Sequence, residues 1–505
     1  MRLQPLALLL AACSGGPVKA PPDDSAPPVE TGQPGDDTDE ADDTGDTAAT
    51  WQALPDACEA PAPLPDDPLA IIGQLMLTQE QRGGFFVELI DLEVDGDLVY
   101  AVGQGGLMIY DIADPAAPAL IGRFAYGQEG RFHRVELLGG GLLALTHRDN
   151  ALSIIDASDP TAPVSLIEVV EKGFEGLAAL PGHVVVTMRD EGVRVYDLSD
   201  PSSPQRVGAA EGLSTPWDLT PVVDGWTYAA DNTLGVVPVD VSTPSAPTIG
   251  APVALDGATL HVAVDGGWLY ASQGSGGVVV LDRSDPAAPV PVATVNTGGS
   301  AVMSAASEGL LWVVDHEAVS VFDVSDPTHP APLAYETTEQ FALAVRAEGT
   351  RAWVGDWNIL SGWQLDPAAS AGQLDLASET VTVPLEGGSA TLSTANRGNA
   401  DVRLVGATVS DDRLSIEVTE DTLAPGGQGS LRVAFSGGEA LDAVVCLASD
   451  DPDEPLRELR VVAGEAGQYL GQPAPDFALT TLDGETLRLS EQLGHPVFLV
   501  YFATW

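Results

Sequence analysis

A ten-residue phrase recurs through the middle of this chain, and its period restricts the fold more than any other feature. Ile109-Tyr-Asp-Ile-Ala-Asp-Pro-Ala-Ala-Pro118 returns as Ile154–Pro163 and Val195–Pro204, with further copies at Pro238–Pro247, Val280–Pro289 and Val321–Pro330. The leading aspartates, Asp111, Asp156, Asp197, Asp240, Asp282 and Asp323, are spaced by 45, 41, 43, 42 and 41 residues. A turn glycine ahead of an apolar run keeps the same beat at Gly96, Gly140, Gly182, Gly225, Gly266, Gly309 and Gly349, which makes seven copies; the seventh is eroded and ends Trp363-Gln-Leu-Asp366-Pro367. A fixed period near 42 with alternating apolar residues predicts repeated four-stranded units. No unit contains a ten-residue stretch of helical period, which argues against helical repeats.

Val99–Val102 and Leu269–Ser272 read as strands, each behind an Asp-Gly or Gly-Gly hairpin turn. The Asp-Pro-x-x-Pro segment joins units: aspartate caps the turn through its side chain, and proline fixes φ and donates no ladder bond. These residues resemble the LVIVD-repeat family of β-propellers over roughly 68–368, which implies seven blades. Asp67-Pro68 followed by Ile71-Ile72-Gly73 echoes Pro118 followed by Leu120-Ile121-Gly122. The N-terminal strand is therefore expected to complete the last blade, leaving few free edges. The repeated aspartates take the same place in every blade and lie around a ring, so they are read as turn caps and no metal site is assigned. The histidines show no metal-ligand spacing. Trp217-Asp218, His261 and Trp357 are candidates for a channel mouth, with blade packing the plainer role for the aromatics; Asp315-His316-Glu317 is the densest polar cluster and reads as a loop.

The style changes after residue 372. Thr380–Leu385, Ala390–Ala395 and Ser430–Phe435 alternate apolar and polar residues. Ala395-Asn-Arg-Gly-Asn399, Leu423-Ala-Pro-Gly426 and the Ala448–Pro455 loop resemble the immunoglobulin-like ASH family of β-sandwich spacers, which position neighbours or bind proteins.

The flanks speak to compartment. Net charge is −53, which repels phosphate backbones and anionic lipid and excludes nucleic acid as a partner. Arg2, the short apolar run Pro5–Ala12 and Leu10-Ala11-Ala12-Cys13 resemble a bacterial lipoprotein signal, with Cys13 as the lipidated residue; an ordinary secretory signal cut near Ala12 is the alternative. The absence of an acidic residue after Cys13 fits outer-membrane retention, and membrane contact is expected through the anchor alone. Residues 14–66 read as a disordered acidic linker, with ten acids and no bases between Ala20 and Thr50. Cys58 and Cys446 read as two separate thiols or as an incidental bridge clipping the linker to a later domain.

At the other end, Gly471–Phe477 with Pro475, Asp476 and Phe477, a hairpin over Thr481–Ser490 with an Asp483-Gly484 turn, and the apolar strand Pro496–Phe502 running into Phe502-Ala-Thr-Trp505 resemble the thioredoxin-like redoxin family. In that family the residue after the tryptophan is the nucleophilic cysteine. A degraded gene, a read or assembly error and a UGA codon for selenocysteine each account for a stop at that position, and the 505 residues are expected to show no thiol reductase or peroxidase activity.

The expected fold is all-β: a lipoprotein signal (1–13), linker (14–66), seven-bladed β-propeller (67–372), immunoglobulin-like β-sandwich (373–465) and an incomplete α/β thioredoxin-like fragment (466–505). The expected function is binding or scaffolding of an unidentified protein or envelope ligand, with no catalytic residue and no cofactor. The alternative is an extracytoplasmic thiol-disulfide oxidoreductase or peroxiredoxin-like enzyme.

Overall fold

The computed structural model describes residues 51–78, 88–125, 132–147, 151–189 and 191–463, with two further strands, Ala478–Thr480 and Thr486–Arg488. Readings placed on Cys13, Pro475, Asp476, Phe477, Phe502 and Trp505 lie outside the described residues. Every regular element among those described is a strand.

The repeat folds as antiparallel four-stranded units. Unit one comprises Asp91–Asp95, Leu98–Gly103, Gly106–Asp111 and Ala119–Phe124, and units two to five follow at 134–170, 174–211, 216–249 and 261–295. The remaining repeats share a seven-stranded sheet through one long strand, Ala331–Glu348. Its first half pairs with His316–Asp323 as the outer strand of unit six, and its second half pairs with Arg351–Asp356 as the inner strand of unit seven. The outer strand of unit seven is Leu69–Met76, paired with Ile359–Leu365 from Leu69↔Leu365 to Met76↔Ile359. The innermost strands touch in succession, and that of unit seven touches that of unit one. The N-terminal strand thus ties the two ends of the repeat together.

Local chemistry explains the regularity. The seven turn glycines all have positive φ, between 53° and 82°, as a tight hairpin requires; at Asp224-Gly225 and Glu308-Gly309 both central residues are positive, the signature of a type I′ turn. From unit one to unit six, each pair of neighbouring units shares a buried core of its own. Between units one and two it is Tyr100, Ile109, Phe132, Leu143 and Ile155. The largest core joins units six, seven and one with the closing strand, and contains Trp312, Trp353, Trp363, Leu69 and Leu92. Trp312 and Trp363 are fully buried, and each such side chain contributes about 2–3 kcal/mol by leaving water. Their indole N–H groups are satisfied by Gly349 O at 3.1 Å and Ser361 Oγ at 2.8 Å.

A second contact locks units together. The Asp-Pro turn, expected to join units, instead links the third and outer strands within one unit, because those two strands pair with each other. Three outer strands carry a bulge followed by glycine, and a Cβ on that glycine would overlap the proline carbonyl of a neighbouring unit's Asp-Pro turn. Gly122 faces Pro160, Gly208 faces Pro244, and Gly73 of the closing strand faces Pro115 of unit one.

Residues 374–463 form one five-stranded sheet and four strands of a second, whose fifth strand is Gln52–Ala53. Burial alternates along Gln428–Phe435, Leu441–Ser449 and Leu456–Ala463, so one face of each sheet is buried, as in a β-sandwich. The segment assigned to the linker enters this fold at Trp51. Gln52–Ala53 pairs with Glu417–Val418 of one sheet, and the Trp51 ring lies 5.0 Å under the Arg432 guanidinium. Pro55 O then accepts Ala407 N of the other sheet at 2.8 Å, and Cys58 is disulfide-bonded to Cys446 with a Cα–Cα separation of 5.9 Å. Trp51–Cys58 is therefore a strap across both sheets, held by backbone pairing that its polar composition does not advertise. Ala478–Thr480 and Thr486–Arg488 pair antiparallel across the Asp483-Gly484 position.

Candidate functional site: a charged channel

The inner strands bring together residues that the sequence keeps far apart. Asp91 and Glu93 come from unit one, Arg134 and Glu136 from unit two, Asp218 from unit four, His261 from unit five and Arg346 from unit seven; all line a cavity of about 200 Å³. A larger space of about 710 Å³ between units one and seven shares Glu93, Arg346 and Ala347 with it. That outer space is walled by Asp95, Asp97, Glu348 and Arg351. Ile112 N donates to Asp97 O at 2.9 Å, so this vestibule opens on the face that carries the Asp-Pro turns.

Ion pairs cross the channel. Arg346 Nη2 lies 2.8 Å from Glu93 Oε1 and 3.4 Å from Asp91 Oδ1, and Asp91 Oδ2 accepts Val135 N at 2.9 Å. Arg134 Nε lies 3.0 Å from Asp218 Oδ2, with His261 Nε2 3.6 Å from the same oxygen. Farther along, His133 Nδ1 lies 3.3 Å from Glu175 Oε2, which also meets Arg189 through its other oxygen. The low dielectric sharpens each effect. Burial, opposed by Arg134, pushes Asp218 up to about 6. Burial and the charges of Arg346 and Arg134 push His261 well below its usual range, so its ring is neutral. Burial, with Glu93 adding repulsion, pushes Glu136 well above the carboxylate range. Against the cost of burial, Glu93 and Asp91 raise the pKa of Arg346 and keep it charged.

Of the residues singled out from sequence, Asp218 and His261 meet in this cavity. Trp217 instead packs edge-on against His133 at 5.8 Å, and Trp357, at φ 55°, packs against Phe341 at 5.6 Å. Asp315 is buried and its Oδ1 accepts Ala318 N at 2.9 Å, while His316 and Glu317, expected in a loop, begin a strand, with the His316 ring edge-on to Phe341 at 5.8 Å. The six repeat aspartates do not line the channel cavity. Each accepts, through Oδ1, the amide two residues on: Ala113 for Asp111, Ser158 for Asp156, Ser199 for Asp197, Ser242 for Asp240, Ser284 for Asp282 and Ser325 for Asp323, all at 2.7–2.9 Å.

Asp91, Glu93, Arg134, Glu136 and Arg346 went unmarked in the sequence. Their signal was available: Asp91, Arg134, Asp218, His261 and Arg346 are separated by 43, 84, 43 and 85 residues, one or two repeat periods each. A second acidic group also went unmarked. Carboxylate oxygens of Asp67, Glu336 and Asp453 lie within 4.8 Å of one another where the repeat meets the sandwich. Burial and the neighbouring carboxylates push Asp67 up to about 7 and Glu336 up to about 9. Like charges this close share protons instead of all ionising.

A family model described as the LVIVD repeat matches residues 90–125, 145–170, 221–253, 256–297 and 298–334. No curated protein matches the chain. Solved structures to which it is similar include the computationally designed Ika8 protein (11% identity, 56% of this chain and 97% of that one, TM-score 0.44). A chain from the mitotic checkpoint complex is similar at 13% identity over 61% of this chain and 99% of that one, with a TM-score of 0.48. A catalytically inactive virginiamycin B lyase from Staphylococcus aureus with quinupristin is similar at 11% identity over 59% and 100%, with a TM-score of 0.46. The chain carries LVIVD repeats folded as successive four-stranded antiparallel sheets, consistent with a β-propeller.

Proposed function

We propose that this chain is an envelope-anchored bacterial lipoprotein that binds a partner through its propeller. In this reading the seven four-stranded units are seven blades, and 373–465 is an ASH-type spacer. The chain is lipidated at Cys13 and held at the outer membrane by that anchor alone. The observation that carries the binding role is the channel. Five units contribute ionisable side chains to one cavity, which shares Glu93, Arg346 and Ala347 with a neighbouring acidic vestibule. Concave sites with a few convergent polar groups are the usual places for ligands. The Cys58–Cys446 disulfide supports export, because such bonds persist in oxidising compartments.

Two experiments test this reading. Palmitate labelling and membrane fractionation of the full chain should be lost in Cys13→Ala; a soluble wild-type chain without label removes the anchor. Cross-linking pulldown from envelope extracts should recover a partner competed by excess purified chain. No partner under any salt or calcium condition counts against the binding role.

The redoxin resemblance of 466–505 supports a second reading, an extracytoplasmic oxidoreductase whose cysteine or selenocysteine follows Trp505. The pairing of Ala478–Thr480 with Thr486–Arg488 favours it. An absence of in-frame redoxin sequence downstream sinks it.

A further inference from the structure

Glu136 stands apart from the other charged groups of the channel. Asp91 and Glu93 are matched by Arg346, and Asp218 by Arg134. Glu136 Oε1 accepts Ala179 N at 3.0 Å, and no cationic side chain among the described residues pairs with it. Glu136 lines the cavity that shares Glu93 and Arg346 with the vestibule of Asp95, Asp97, Glu348 and Arg351, and its second carboxyl oxygen is not needed by Ala179 N.

We propose that this cavity takes a primary ammonium group, the end of a lysine side chain from a partner protein, paired with Glu136. The assignment rests on the binding role proposed above and deepens it. An ammonium is a compact point charge that needs a single acceptor oxygen, whereas a guanidinium prefers both oxygens of a carboxylate. A calcium ion needs six to eight oxygens, and the neighbouring carboxylates are committed to arginines. The acidic vestibule and a net charge of −53 steer cations toward the opening. The charged groups facing Glu136 are Glu93 and Asp91 of unit one, Arg346 of unit seven, Arg134 on its own strand and Asp218 of unit four, with neutral His261 of unit five.

The test is calorimetric titration of the full chain with N-acetyl-lysine amide, and with uncharged N-acetyl-norleucine amide. Saturable binding of the lysine compound alone is expected. Glu136→Gln retains the acceptor for Ala179 N and matches the carboxyl in shape. It should unfold at the wild-type temperature and bind the probe at least about tenfold more weakly. Equal binding of the two probes, no saturation, or unchanged binding by Glu136→Gln overturns the proposal. Should the variant fail to fold, the wild-type contrast between probes decides alone. A captured partner retained by folded Glu136→Gln overturns the lysine assignment and leaves the binding role standing. Amine binding with no captured partner supports the site and removes the scaffold role.

Discussion

Gly73→Ala tests whether ring closure depends on the glycine latch. A Cβ at Gly73 would overlap the Pro115 carbonyl oxygen and lie 2.8 Å from Ala116 Cα. Both obstacles are backbone, held by the Asp114-Pro115 turn whose Ala117 N bonds Asp114 O at 2.9 Å, so no side chain can swing aside. Relief requires the closing strand to move off unit one, at the edge of the core containing Leu69, Trp353 and Trp363. Overpacking of this kind costs about 1–3 kcal/mol, and a rigid obstacle puts this case near about 3 kcal/mol. Two controls separate the latch from generic glycine effects. Gly267 has nothing within 4 Å and no left-handed φ, so Gly267→Ala should change stability by less than about 0.5 kcal/mol. Gly96 has equal space but φ +56°, and Gly96→Ala should cost about 1 kcal/mol from backbone strain alone. Urea unfolding of the full chain by tryptophan fluorescence reads the closing core directly, since Trp312, Trp353 and Trp363 all lie in it. If Gly73→Ala unfolds with Gly267→Ala, the latch does not hold the ring and the reasoning fails.

Asp218→Ala leaves Arg134 buried without its partner and should cost about 3–5 kcal/mol in urea unfolding, whereas breaking a surface pair such as Arg460–Asp442 should leave the urea midpoint nearly unchanged. At the Asp67–Glu336–Asp453 group the folded-state pKa values, about 7 for Asp67 and about 9 for Glu336, lie above the ordinary 3.8 and 4.5. Stability from this group is therefore complete below about pH 4 and is lost as pH rises through about 7 and then 9. Asp453→Asn removes one of the repelling charges, so the fall in urea midpoint between pH 6 and pH 9 should shrink in the variant; an unchanged slope refutes the coupling. Cys446→Ser should raise hydrogen exchange at Ala407 N, which donates to Pro55 O of the strap, and lower stability by about 2 kcal/mol or more. Unchanged exchange would mean that strand pairing alone holds the strap.

The repeat was legible because its punctuation is local chemistry. A hairpin glycine at positive φ and an aspartate that accepts the amide two residues on are requirements within a few residues, so they recur wherever the unit recurs. The closing strand was legible for the same reason, since Ile71-Ile72-Gly73 repeats the outer-strand bulge of Leu120-Ile121-Gly122. The channel was less legible: Asp91, Arg134 and Arg346 lie in different repeats, and only circular closure turns their spacing into contact. Sequence contains no local trace of the Asp67–Glu336–Asp453 group, which three distant segments assemble. The strap was hidden for another reason, because Gln52–Ala53 is too short and too polar to show a strand period, and a cysteine pair 388 residues apart has no spacing rule.

The position of the strap sets a path for mechanical load. The chain leaves residue 50, crosses the sandwich at Trp51–Cys58, and only then supplies the closing strand Leu69–Met76 of the ring. Tension arriving from the N-terminal side meets the disulfide and the sandwich before it can reach that strand. A hydrogen-bonded closure peels easily when pulled from its end, whereas a covalent cross-link upstream carries the force in its place. The ring is thereby isolated from pulling on its own N-terminus, and a chain lacking Cys446 would transmit that pull to the seam between units seven and one.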